Sequence, residues 1–183
     1  MNLSRRNFAM GVGATAIAAG ATPASAATRE TIDRRVSNKM QEMFNRFTFT
    51  QKLAQQAAGV LMIPRFTKGG IIIGGAYGEG SLLIGNAPVD YYSLAAGSYG
   101  IQLGAQQFST ALFLMNQEEL TRFRRRDGWT VGVDLEAVAL ETGEIAAIDS
   151  NTYVDDVYAL NFGQKGLMIG ASIEGAKYSR IWR

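Results

Sequence analysis

Four arginines, Arg122, Arg124, Arg125 and Arg126, stand together around Phe123, and no other stretch of the chain gathers as many formal charges of one sign. Guanidinium groups are planar forks that bind phosphate and carboxylate bidentately, so this spacing suits capture of an anionic headgroup. Each basic side chain near an anionic surface contributes about 1 kcal/mol, which adds up only where the side chains share a face. A solvated surface also shows such runs, and both readings stay open here. Arg65 and Lys68, just after Pro64, are secondary candidates. Arg34, Arg35 and Lys39 form a third group, and Lys165 and Lys177 are weaker.

Other chemistries fall away by residue type. The chain has neither His nor Cys. Imidazole bases, Ser-His-Asp triads, thiolate nucleophiles, disulfides and the usual zinc ligand sets are therefore excluded. The pairs Glu118–Glu119 and Asp155–Asp156 are adjacent in sequence, so their side chains point apart and do not read as an acid/base couple. Asp149 to Asp156 lacks the glycine and terminal glutamate of an EF-hand loop, so no metal is expected. The glycine block Gly74–Gly80 is followed by strand-like sequence and contains no GKS or GKT, which removes nucleotide binding. No cofactor and no enzymatic activity are expected.

The first 26 residues read as an export signal. Ser4-Arg5-Arg6-Asn7-Phe8 precedes a short Ala/Gly-rich apolar stretch, which ends in Pro23 and Ala24-Ser25-Ala26. Paired arginines with this order of regions point to the twin-arginine route, with cleavage after Ala26 and a periplasmic or otherwise exported product. Two of the 18 Lys+Arg residues lie in that leader, whereas all 16 acidic residues follow it. The remaining chain is formally neutral, so the sequence pI of about 9.0 is no sign of nucleic-acid binding. Residues 27–183 suit one domain with one core.

The elements that would position these groups follow from periodicity. Ile32, Val36, Met40, Phe44 and Phe47 make one stripe of an amphipathic helix over 29–47, with Arg34, Arg35 and Lys39 on its flank. Core packing is favoured for the Phe44–Phe47 end; for the Ile32–Met40 end, a helix lying at a membrane interface is equally open. Met40, Met43 and Met62 suit an adaptable apolar pocket or simple gap-filling. Thr50 is placed to cap a shorter helix to Ala58. Gly59–Ile63 reads as a buried strand stopped by Pro64. Residues 70–85 read as two strands around a turn near Tyr77–Gly80, and residues 93–108 alternate with period two. Asn116 with Glu119 marks a helix start running to about Arg124. Trp129, Val131, Val133 and Leu135 begin another strand, as do Leu167, Ile169, Ala171 and Ile173. Residues 141–157 form an excursion. The fold class is α+β: N-terminal helices packed on a curved, mostly antiparallel sheet, barrel-like closure being left open. Glycines on strand faces indicate tight bends or close approach.

The order Ala57-Ala58-Gly59-Val60-Leu61-Met62-Ile63-Pro64, Lys68-Gly69-Gly70, Gly74-Gly75-Ala76-Tyr77-Gly78-Glu79-Gly80, Tyr92-Ser93, Gly100 to Gln106, and Gly166-Leu167 to Ile173-Glu174-Gly175 resembles the SYLF domain over about residues 36–178. The resemblance implies lipid binding. Eukaryotic members recognise phosphoinositides with help from an N-terminal amphipathic segment, and some fungal members with an added SH-three domain associate with actin patches. Bacterial members are typically exported and stand alone. Actin is not expected as a partner here, and the chain stops at Trp182-Arg183, earlier than many relatives. The expected partner is phospholipid or a membrane surface, with the arginine groups as contacts. A protein-binding or self-assembling homo-oligomeric scaffold is the alternative.

Overall fold

The helix α1 (Arg29–Arg46) starts where Thr28 accepts a hydrogen bond from the Thr31 amide at 3.3 Å, with Glu30 in its first turn and Arg46 in its last. A second helix, α2 (Phe49–Gln56), follows at once. The computed structural model describes residues 27–69, 73–99, 106–134, 136–140, 155–163, 166–167 and 175–183. The export signal and the strand positions Ile101, Leu103, Ala105, Leu135, Ile169, Ala171 and Ile173 lie outside them, as do Lys165 and residues 141–154 of the expected excursion.

The described strands are β1 (Gly59–Gly69), β2 (Ile73–Ile84), β3 (Ala87–Tyr99), β4 (Gln106–Leu114), β5 (Gly128–Thr130), β6 (Val138–Ala139), β7 (Val157–Gly163), β8 (Gly166–Leu167) and β9 (Lys177–Ile181). They form one curled sheet in the order β5-β9-β3-β2-β1-β4-β7-β6, with β8 on β7. Every described pairing is antiparallel except β6 with β7. Among the described residues the path of pairing is open, from β5 to β6. The helix α3 (Gln117–Arg125) starts at Asn116, whose side chain accepts from the Glu119 amide at 2.8 Å.

Both faces of the middle strands are covered, which is why their sequences run apolar without a break. Leu61, Ile63, Leu82, Tyr92, Leu94 and Leu112 face one way, where Leu120 and Phe123 of α3 join Trp129 and Tyr178. Val60, Met62, Leu83, Ala111, Phe113 and Leu160 face the other way, under Ile32, Val36, Met40 and Met43 of α1 and Leu53 of α2. The Ile32–Met40 end of the α1 stripe is thus core, more deeply placed than its C-terminal end, where Phe44 and Phe47 are half-buried.

Several local expectations need correction. Pro64 does not stop β1. The pairing with both neighbours slips by one residue around it, a bulge that accommodates a residue lacking an amide hydrogen. Ser109 Oγ donates to the Pro64 carbonyl at 3.0 Å. Residues 77–80 are not a turn: β2 runs straight through them, and the chain reverses at Gly85-Asn86, where Gly85 has φ +61°. Thr48, not Thr50, precedes α2, while Thr50 donates its hydroxyl hydrogen to the Phe47 carbonyl at 2.6 Å. The strand at Trp129 ends early because Gly132 turns the chain at φ 83°, leaving Val133 81% exposed.

Candidate functional site

The α3 arginines are largely spoken for. Arg122 pairs with Glu119 at 3.1 Å, and Arg126 with Asp134 at 3.2 Å. Their guanidinium carbons also sit 5.2 and 5.0 Å from the centroid of the buried Trp129 ring. Phe123 stacks on that ring at 5.7 Å, and Trp129 Nε1 donates to the Phe123 carbonyl at 2.9 Å. Two of the four arginines therefore hold the α3–β5 turn to an aromatic core. Arg124 reaches Asp90 on β3 at 2.6 Å, and Arg180 on β9 holds the other Asp90 oxygen. Only Arg125 of the four is exposed with no ion pair or hydrogen bond among the described residues.

Asp90 is 5% exposed and ties α3 to two strands at once. Removing a carboxylate from such a cluster leaves its cations uncompensated, but both arginines remain partly solvated, which moderates the loss. Asp90→Ala should cost about 2 kcal/mol of unfolding free energy in urea titration. A variant as stable as the parent would show that the pairings carry no stability.

On α1, Arg34 and Arg35 are exposed without a partner among the described residues, and Arg65 is exposed beside the Pro64 bulge. Lys39 is engaged, with Glu42 at 2.6 Å and the Phe162 ring centroid at 6.0 Å. Lys68 lies on β1 opposite Ala76 and Gln106; its side chain is outside the described residues. The nine candidate cations are therefore spread over α1, β1 and α3, rather than concentrated in a single free patch on α3.

Sequence reasoning missed the polar cluster beneath α1. The Tyr91 hydroxyl donates to Asp33 Oδ2 at 2.9 Å, and burial with this carboxylate bond pushes the phenol up to about 12. Ser81 lies directly across from Tyr91 in the β2–β3 register. The only sequence signal was Asp33 falling next to the apolar stripe. A groove of about 390 Å³ opens here between α1 and the β2–β3 hairpin, and the hairpin also exposes Ile84 and Val89.

A second cleft, of about 410 Å³, lies beside α3 and is lined by Glu119, Asp134, Asp155 and Asp156. Its carboxylates are used internally: Asp156 accepts from Asn116 at 2.6 Å, and Asp155 from Tyr158 at 3.3 Å. Among the described residues no acidic group has the arrangement to hold a metal ion. No helix of the described residues is long and apolar enough to cross a membrane.

Residues 95–180, from the end of β3 into β9, match the family described as Ysc84, Las17-binding protein actin regulator. No curated protein matches the chain. Of the motifs that resembled a SYLF domain, Gly100 to Gln106 and Gly166 to Gly175 fall within this span, while the blocks from Ala57 to Ser93 precede it, as do α1 and its groove. The matched family over residues 95–180 is the one the sequence motifs resembled, the SYLF (Ysc84) family.

Proposed function

We propose that this chain is an exported, non-enzymatic lipid-binding protein that meets anionic phospholipid at a membrane surface. The family match carries the reading, because lipid binding is what the SYLF resemblance implies. The structure leaves Arg34 and Arg35 exposed on α1 and Ile84 and Val89 exposed on the β2–β3 hairpin. Exposed basic side chains suit contact with anionic headgroups, and exposed apolar ones suit contact with acyl chains. The leader with Arg5-Arg6 supports export before any such contact, and replacing both with Lys should keep the precursor uncleaved in the cytoplasm.

Vesicle co-sedimentation of residues 27–183 tests the reading. Binding to vesicles rich in phosphatidylglycerol is expected at low salt, with release as salt rises. At about 1 kcal/mol per cation, the double substitution Arg34→Ser, Arg35→Ser should lower partitioning roughly thirtyfold. Arg124→Ser, whose guanidinium is held by Asp90, should leave partitioning unchanged while lowering stability. A loss confined to Arg124→Ser would assign contact to α3 instead, and no binding at low salt would sink the membrane reading.

A further inference from the structure

The groove along α1 has an apolar wall and a polar end. Val36, Met40 and Phe44 line it from the helix, and Leu83 and Pro88 from the hairpin. Asp33 also lines it, and from Asp33 to Phe44 the helix advances about 16 Å. At about 390 Å³ the space is in the lower range of small-molecule sites.

Two atoms at this site lack what buried polar atoms nearly always have. Asp33 Oδ1 and Ser81 Oγ are buried with no hydrogen-bond partner among the described residues, and Ser81 is 0% exposed. Both residues line the groove. Asp33 already accepts the Tyr91 hydroxyl on its other oxygen, and Tyr91 opposes Ser81 across the strands, so the three groups share one face. Arg29, whose guanidinium carbon stands 5.5 Å from the Tyr91 ring centroid, donates to the Arg183 carbonyl.

The missing partner can be specified by its chemistry. A carboxylate oxygen only accepts, whereas a serine hydroxyl both accepts and donates, so a ligand group serving both must donate to Asp33 and can pair with Ser81 in either sense; a group with two or more N–H or O–H donors serves both by donating. A primary ammonium has three and complements the Asp33 charge, whereas a carboxylate or phosphate head would meet that charge unfavourably. The apolar wall then has to be covered by hydrocarbon. We propose that this groove binds a single-chain alkylammonium amphiphile, its ammonium donating to Asp33 and Ser81 and its chain lying along Val36, Met40 and Phe44. The site goes beyond the membrane-surface reading and does not depend on it: it takes a head of opposite charge and uses none of the arginines.

Calorimetric titration of the full chain with alkylammonium chlorides, kept below their micelle-forming concentrations, tests it. Dodecylammonium should bind, and each methylene removed should weaken binding about fourfold, so octylammonium should be about 250-fold weaker. Dodecanoate, with the same length of chain and the opposite head, should bind at least tenfold more weakly. Asp33→Asn and Ser81→Ala nearly conserve volume, and each should weaken dodecylammonium about tenfold while circular dichroism shows the parent fold. Met40→Trp, which fills the apolar part, should remove the dependence on chain length. Equal affinity for dodecanoate, unchanged affinity in Asp33→Asn, or no binding of dodecylammonium would each overturn the proposal. Vesicle binding measured in parallel separates its failure from that of the proposed function.

Discussion

Gly80→Ala is expected to destabilise the protein by more than about 4 kcal/mol, the range reserved for substitutions that a structure cannot absorb. A Cβ built on Gly80 would stand 1.9 Å from the Met62 carbonyl oxygen and 2.9 Å from the Ile63 Cα. Both obstacles are backbone of β1, the central neighbour of β2, so relief requires the two strands to separate. Gly78 has the same problem, 2.4 Å from the Arg65 carbonyl oxygen. These glycines let β1 pass close over the inner face of β2 where Pro64 forces the bulge, and the curl of the sheet depends on that approach. Gly85→Ala provides the contrast. Nothing lies within 4 Å of its added Cβ, and the cost there is the left-handed φ of +61°, worth about 1 kcal/mol. Thermal unfolding should place the Gly80 variant at least 8 °C below the parent and the Gly85 variant only a few degrees below. If the two variants melted together, the close approach of β1 and β2 would be refuted.

The contrast also marks what could be read from sequence. Glycines recurring along one face pointed to close approach, and the structure places it at Gly78 and Gly80. The same glycines, read locally, suggested a turn that is not there, because local turn chemistry cannot reveal a neighbouring carbonyl. The α1 stripe and the Asn116 cap were legible because each is a pattern within a few residues, governed by helix geometry and terminal amides. The doubly covered strands were legible as apolar runs, but their order was not, since pairing depends on contacts far apart in sequence. The candidate cations show this most plainly. Arg124 lies 34 residues from Asp90 and Arg180 lies 90 residues from it, so one member of the charge run is held by a partner that the run gives no sign of. Asp33 and Tyr91, 58 residues apart, hide the groove's polar end in the same way.

Stability should be level from neutral pH to about pH 9 and fall steeply above pH 10. Burial pushes the Tyr92 phenol up to about 12, with the Asp90 charge adding to it, and burial alone pushes Tyr178 further still. Unfolded tyrosines titrate near 10. Above that pH the unfolded chain releases protons that the folded chain keeps, so the stabilisation present below pH 10 is lost as pH rises towards the folded values. Each phenol removes about 1.4 kcal/mol per pH unit, and the two together nearly 3. By pH 12 these two alone cost about 5 kcal/mol, comparable to the whole stability of many domains, and Tyr91, also pushed up to about 12, adds to the loss in the same window. Neither hydroxyl has a hydrogen-bond partner among the described residues. Tyr178→Phe should therefore flatten the alkaline limb and raise stability at pH 7 by about 1 kcal/mol, since it removes a buried polar atom without orphaning another. Urea titrations from pH 7 to about pH 12, with phenolate absorbance followed alongside, would show both effects. A Tyr178→Phe variant with the parent's pH profile would mean that this phenol ionises in the fold as readily as in the unfolded chain, and would place water at its hydroxyl.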